Sequence, residues 1–242
     1  GQADQIWNWV EQNAGRADVM VLSTDTLIYG GLVDSRKHNL PLSTLEYRLK
    51  RIEALKANYK NTRIYGFGTV MRSPRASGGG TEPSYYADYG PTIFQIAALQ
   101  DKLDAGTLTQ AETQKLMSLQ ASVPVEYLQD WFSRRQKNMQ INKGLIDEAR
   151  KGVFEYFALG HDDTSQLSQS ALEGRYLSQY SKGIPRTQYG SFPGADQLGL
   201  LLMARSRTDE SVEKPTFSII YPLGGAGKTL PGYEAVSYTH LR

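Results

Sequence analysis

Carboxylates are the residues most able to do chemistry in this chain, because they are grouped. HDDTSQ sets Asp162 and Asp163 side by side behind His161, and PGADQ sets Asp196 just after a glycine turn. Adjacent carboxylates repel each other, which raises the pKa of one and can leave an acid and a base in the same pocket at neutral pH. Each also has a structural reading. Asp163, Thr164 or Ser165 can cap a following helix, and Asp196 in a first helical turn gains from the helix dipole. Asp25, inside STDTLIYGGLVDSR, is flanked by Ser23, Thr24 and Thr26, whose hydroxyls can hold a carboxylate rigidly. Gly30 and Gly31 beyond it serve either a turn or the close approach of a ligand.

Polar partners for a substrate are also present. Arg72 follows the apolar run TRIYGFGTVM, and Arg134, Asn138 and Asn142 recur every four residues, which places them on one face of a helix. Guanidinium and amide groups at that spacing suit hydroxyl-rich or carboxylate ligands, while a solvated helix face is the structural alternative. Tyr85, Tyr86 and Tyr89 close the loop SPRASGGGTEPSYYADYG, where they either stack on a sugar ring from a lid or pin the loop to the core. His161 with two neighbouring aspartates makes a thin metal set, since adjacent residues rarely all face one ion and the other credible histidine is His38. No metal site and no cofactor is expected.

One stretch imitates a nucleotide site. GGAGKT at residues 224–229 resembles the end of a phosphate-binding P-loop, but the pattern requires a glycine where this chain has Pro222. Proline has no N–H to donate to a phosphate, and Leu230, Pro231 and Gly232 offer a turn where a helix should begin. Lys228 is left as a lysine near a strand end. A phosphate-bearing substrate would have to rely on Arg72.

The elements that would position these groups alternate. ADVMVLSTD reads as a buried parallel strand that delivers Asp25 at its end, and STLEYRLKRIEALKANY as a helix with a Ser43–Glu46 capping box and an apolar face of Leu45, Leu49, Ile52 and Tyr59. TRIYGFGTVM, VFEYFALG, RTQYGSF and PTFSIIYP read as further strands, with helices at ALEGRYLSQY and LGLLLMARS. Helical patterns fill residues 91–151, the last opening at Pro124 and stopping at Gly152. The N-terminal segment reads as a helix with Ile6, Trp9 and Val10 on its apolar face. The expected fold class is α/β: a parallel sheet with crossover helices, barrel-like or doubly wound and incomplete, carrying a helical insertion around residues 91–151. In such folds the ligand crevice lies at the carboxyl ends of the strands, where Asp25, Arg72, Asp162, Asp163 and Asp196 would converge.

Composition excludes several classes. The 242 residues carry 27 basic and 25 acidic side chains, a formal net charge of +2, with no Lys/Arg run to follow a phosphate backbone. Nucleic acid is therefore not an expected partner. The absence of cysteine removes disulfides, thiolate metal sites and a cysteine nucleophile. No apolar run approaches the roughly 20 residues of a membrane span, and no signal-peptide pattern opens the chain. The compartment stays open, with the cytoplasm favoured over secretion, and so does the oligomeric state. AVSYTHLR at the end, residues 235–242, reads as a non-native tail of the kind that ends metagenomic gene fragments, leaving residues 1–234 as a single domain.

Taken together and in order, STDTLIYGGLVDSR, TVMRSP, RRQKNMQIN, HDDTSQ and PGADQLG resemble the bacterial family catalogued as domain of unknown function 4127, over residues 18–234. That resemblance implies an opening strand with an Asp-Arg-Pro motif and a chain of about double this length, so this sequence is expected to be a fragment lacking its N-terminal strand and C-terminal half. The family carries Glu after the Asp of its Gly-Ala-Asp motif, where this chain has Gln197. It implies no reaction. From the residues themselves the expected function is a carbohydrate-active hydrolase: Asp162 or Asp163 as general acid or orienting base, Asp196 or Asp25 as partner, and Arg72, Arg134, Asn138, Asn142, Tyr85 and Tyr86 on the substrate. The alternative is a non-catalytic module binding a small polar or sugar-like ligand in the same crevice.

Overall fold

The computed structural model of the protein describes residues 2–76, 80–163 and 165–213, together with 215, 216 and 218. Four strands form one all-parallel sheet in the order β1 (Val19–Ser23), β2 (Arg63–Val70), β3 (Tyr156–His161) and β4 (Tyr189–Pro193). Sequential parallel neighbours need crossovers, and helices supply them. Between β1 and β2 run α2 (Thr24–Tyr29), α3 (Leu32–Lys37) and α4 (Leu42–Asn58); α1 (Gln2–Ala14) precedes β1. Between β2 and β3 run α5 (Tyr86–Asp104), α6 (Gln110–Ala121) and α7 (Val125–Arg150); α8 (Gln169–Tyr180) joins β3 to β4, and α9 (Leu198–Glu210) follows.

Alternation along the strands divides the core between the two faces of the sheet. Met20, Leu22, Ile64, Phe157 and Leu159 pack with Trp7, Leu45, Ile52, Leu145 and Ile146, under α1, α4 and α7. On the other face Tyr65, Tyr156 and Ala158 pack with Leu198 and Leu202 of α9. Both faces being covered explains why the strands read as near-continuous apolar runs. The helical insertion has its own core: Tyr86, Ile93, Ile96, Ala97, Leu116 and Val123 gather around Trp131.

Several boundaries differ from the sequence expectation. The buried face of α1 is Ala3, Trp7, Val10 and Ala14, while Trp9 is exposed; Trp7 is anchored by its indole N–H donating to Leu27 O at 2.8 Å. The helix α4 begins one residue earlier, with Pro41 as its cap and no side-chain capping bond, so the Ser43–Glu46 box does not form. The helix α5 starts at Tyr86 and carries Pro91 inside it. Proline lacks the N–H for one intrahelical bond, which is why the sequence suggested a start there. The expected fifth strand at residues 215–222, apart from residues 215, 216 and 218, and the GGAGKT loop with Lys228, the C-terminal tail and Thr164 lie outside the described residues. Among the described residues no helix is long and apolar enough to cross a membrane.

Candidate functional site

At the carboxyl end of β1 the chain turns directly into α2. Ser23 caps that helix, its Oγ accepting from Thr26 N at 3.3 Å, and Gly30 ends it in the left-handed conformation at φ 109°. Gly30 is thus a turn residue. The first turn of α2 lies against β2 because Gly68 has no side chain: a Cβ there would stand 2.4 Å from Thr24 Oγ1, which donates to Phe67 O at 3.0 Å. This contact carries Asp25 to the end of β2, where its Oδ2 accepts from Thr69 Oγ1 at 2.8 Å.

Asp25 is buried, with 4 % of its surface exposed. Burial pushes its carboxyl up to about 7, against the hydrogen bonds from Thr69 and with repulsion from Asp162 adding to the rise. Asp162, one residue past β3, sits in a different setting. The buried Arg36 guanidinium of α3 donates to its Oδ2, and its side chain keeps 18 % exposure. Burial and the charge of Asp196 raise the Asp162 pKa, while Arg36 and Arg72 oppose them. Arg36 also faces Glu82 at 3.7 Å, and Glu82 in turn accepts from Arg72 Nε at 2.8 Å. Glu82 is raised mainly by burial, held down by the same two arginines. Asp25, Asp162, Glu82, Arg36 and Arg72 therefore form one charged cluster at the strand ends.

The other expected residues separate by role. Asp196 is exposed; it is brought toward Asp162 by the bridge in which Gly194 N donates to His161 O at 2.8 Å. Asp163 fastens loops, accepting from Ser73 N at 3.2 Å and from Ser165 N and Oγ at 2.9 Å. The cap of α8 is Ser168, whose hydroxyl accepts from Ala171 N, so neither Asp163 nor Ser165 caps it. Arg72 is a quarter exposed and already holds Glu82 and Thr81 Oγ1.

The polar stripe of α7 is not a solvated face. Arg134, Asn138 and Asn142 are all buried and bonded inward: Arg134 to His38 O at 2.8 Å and to Asp130, Asn138 to Ser35 O at 2.8 Å and to His38 Nε2, Asn142 to Thr69 O at 3.2 Å. These bonds tie the α3–α4 connection and the end of β2 to α7, and they occupy the groups expected to clamp a substrate. The tyrosines form no lid. Tyr86 is fully buried in α5 and donates to Pro74 O at 2.9 Å; Tyr85 stacks on Tyr127 with centroids 4.7 Å apart and donates to Asp130 at 2.6 Å. Both pin the loop to the core.

Two arginines with structural command of the site carried no role in the sequence reading. Arg135 is nearly inaccessible, forks onto Glu173 with two 2.8 Å bonds and donates to Met71 O and Arg72 O, which fixes the chain just past β2. Arg36 is the second. Their only signal was membership of STDTLIYGGLVDSR and RRQKNMQIN. Among the described residues no group of three or more His, Asp or Glu side chains is arranged to hold a metal ion.

A cavity of about 700 Å³ opens along β4, lined by Tyr156, Ser178, Ser181, Tyr189, Ser191 and Gln197 among others and by none of the five cluster residues. Ser191 meets His161 Nε2 at 2.6 Å, which connects the cavity wall to the residue before Asp162. Phe192 and Leu201, partly exposed, add apolar surface.

No curated protein and no solved structure matches the chain. The profile of the family described as "Protein of unknown function (DUF4127)" matches residues 1–240. The chain belongs to that family.

Proposed function

We propose that this DUF4127 member is a hydrolase of hydroxyl-rich, sugar-like substrates, with Asp25 as the proton-bearing acid and Asp162 as the ionised base. One observation carries the reading: two carboxyls at strand ends on either side of β2 have different partners, Asp25 buried with only hydroxyl and backbone partners, Asp162 held by a guanidinium. Burial raises both carboxyls, but only Asp162 has an arginine that opposes the rise by a direct ion pair, and a difference of that kind is how acid and base roles are divided at neutral pH. In a glycosidic hydrolysis Asp162 would take a proton from the attacking water while the Asp25 proton goes to the leaving oxygen, with Asp196 as the exposed neighbour that keeps Asp162 a competent base. The cavity along β4 has the size of a small-ligand site and lines it with hydroxyls, an amide and aromatic rings, the groups that hold sugars.

The test is turnover of a panel of aryl glycosides. Asp162→Asn and Asp25→Asn should each lower the rate by about 10²–10⁴, the usual worth of a positioned acid or base. A non-catalytic binding module is the second reading, favoured by the low exposure of Asp25. It predicts sugar-dependent thermal stabilisation that Asp162→Asn weakens, with no turnover by the unmodified protein on any glycoside of the panel.

A further inference from the structure

Arg36 is a mid-chain arginine on a six-residue helix, yet it is 4 % exposed and stands between two carboxylates. One Nη donates to Asp162 Oδ2 and the other lies 3.7 Å from Glu82 Oε1. Glu82 is fixed from its far side by Arg72, so it cannot follow Arg36 freely. A guanidinium held between one anchored carboxylate and one half-open carboxylate has its fork oriented by the first and presented to the second. We propose that Arg36, oriented by Glu82, is the positioning residue that fixes Asp162 in place and keeps it ionised; the inference rests on Asp162 as the base.

The groups that bear on Asp162 come from four directions. Arg36 arrives from α3 and Arg72 from the chain after β2, both favouring the carboxylate; Asp196 arrives from the turn after β4, disfavouring it; and Asp25 on α2 interacts with Asp162 as a like group. Glu82 contributes through Arg36 and Arg72. Of these, among the described residues, only Arg36 makes a direct hydrogen bond to the Asp162 side chain. The remaining guanidinium nitrogen of Arg36, Nε, is buried and makes no hydrogen bond among the described residues.

The experiment is a carboxyl-carbon NMR titration of Asp162 in the free protein, which needs no substrate. Arg36→Gln should move its midpoint up by about 1–3 pH units, the usual effect of an adjacent guanidinium. Arg36→Lys should restore part of that change. Glu82→Gln should move the midpoint the opposite way, downward, by freeing Arg36 for Asp162 and removing a nearby negative charge. A midpoint unmoved in Arg36→Gln, or moved in the same direction by Arg36→Gln and Glu82→Gln, overturns the assignment. Loss of glycoside turnover as a function would leave these shifts in place, and absent shifts with intact turnover would remove Arg36 alone.

Discussion

Replacing Asp25 by Asn should stabilise the protein at neutral and alkaline pH and leave it unchanged in acid. The carboxyl is raised from 3.8 to about 7 by burial. Over that window the folded protein retains a proton that the unfolded chain has lost, so the stability associated with this group is present below about pH 4 and falls as pH rises toward 7. A difference of about 3 pH units, at 1.36 kcal/mol each, gives a ceiling near 4 kcal/mol. Asparagine stays neutral throughout and can still accept from the Thr69 hydroxyl, which lies 2.8 Å from the present oxygen. Urea unfolding at half-unit steps from pH 4 to 8 measures it. The two proteins should agree within about 1 kcal/mol at pH 4 and diverge steadily, the variant being the more stable by up to about 4 kcal/mol at pH 8. Asp162, Glu82 and His38 titrate in both proteins and largely cancel in the difference. A stability difference that is constant across pH would show that Asp25 ionises normally in the folded protein, and the acid role assigned to it would fall with that result.

Two further outcomes follow from the same contacts. His38 stacks on Tyr29 at 5.0 Å and shares its Nε2 with Asn138, and burial lowers its pKa to about 4. Here the sign reverses: the unfolded chain binds the proton first, so stability is lost as pH falls from about 6.5 toward 4, by up to roughly 3 kcal/mol; His38→Gln should remove that slope in the same urea series. Arg135→Met strands Glu173 without its fork and should cost about 3–5 kcal/mol. The double variant Arg135→Met with Glu173→Met should recover most of that loss, and a double-mutant cycle with no coupling would refute the pairing.

Much of the sheet was legible because parallel strands covered on both faces are written as continuous apolar runs, as in VMVLS and RIYGFGTV, and because Gly152 stops the long helix where the pattern breaks. Strand ends could therefore be placed, and with them Asp25, Arg72, Asp162 and Asp196. Burial of polar groups was not legible. Arg134, Asn138 and Asn142 have the spacing of a helix face whether that face meets water or a bonded loop. The distinguishing sign was that Trp131, Ile141 and Leu145 are buried on the same helix, so much of its surface had to face inward. Arg36 was invisible for another reason: its partner Asp162 is 126 residues away, and nothing local records a contact made only by the closed fold. The tyrosines misled because Gly-rich sequence before them suggested a mobile loop, while Tyr86 is the anchor of the insertion's core.

The pairing within the cluster also constrains what can bind there. Arg36 is shared by Asp162 and Glu82, and Arg72 by Glu82 and Thr81, so neither guanidinium is free to receive a phosphate without giving up a buried partner. Breaking such a pair strands a buried carboxylate, a cost of several kcal/mol that an anionic ligand would have to offset. Asp25 has the opposite character: among the described residues no arginine hydrogen-bonds to it, and it is held by Thr69. For stability alone an asparagine or a threonine would serve that position better, since a buried, uncompensated carboxyl penalises the folded state as soon as it ionises. Arginines already engaged by carboxylates, beside an acid that no arginine hydrogen-bonds, make the capture of an anionic ligand at the cluster costly. That combination fits the hydrolysis of a neutral hydroxyl-rich substrate better than phosphoryl chemistry, and it makes the acid at position 25, rather than the adjacent aspartate pair, the residue whose chemistry most needs to be measured.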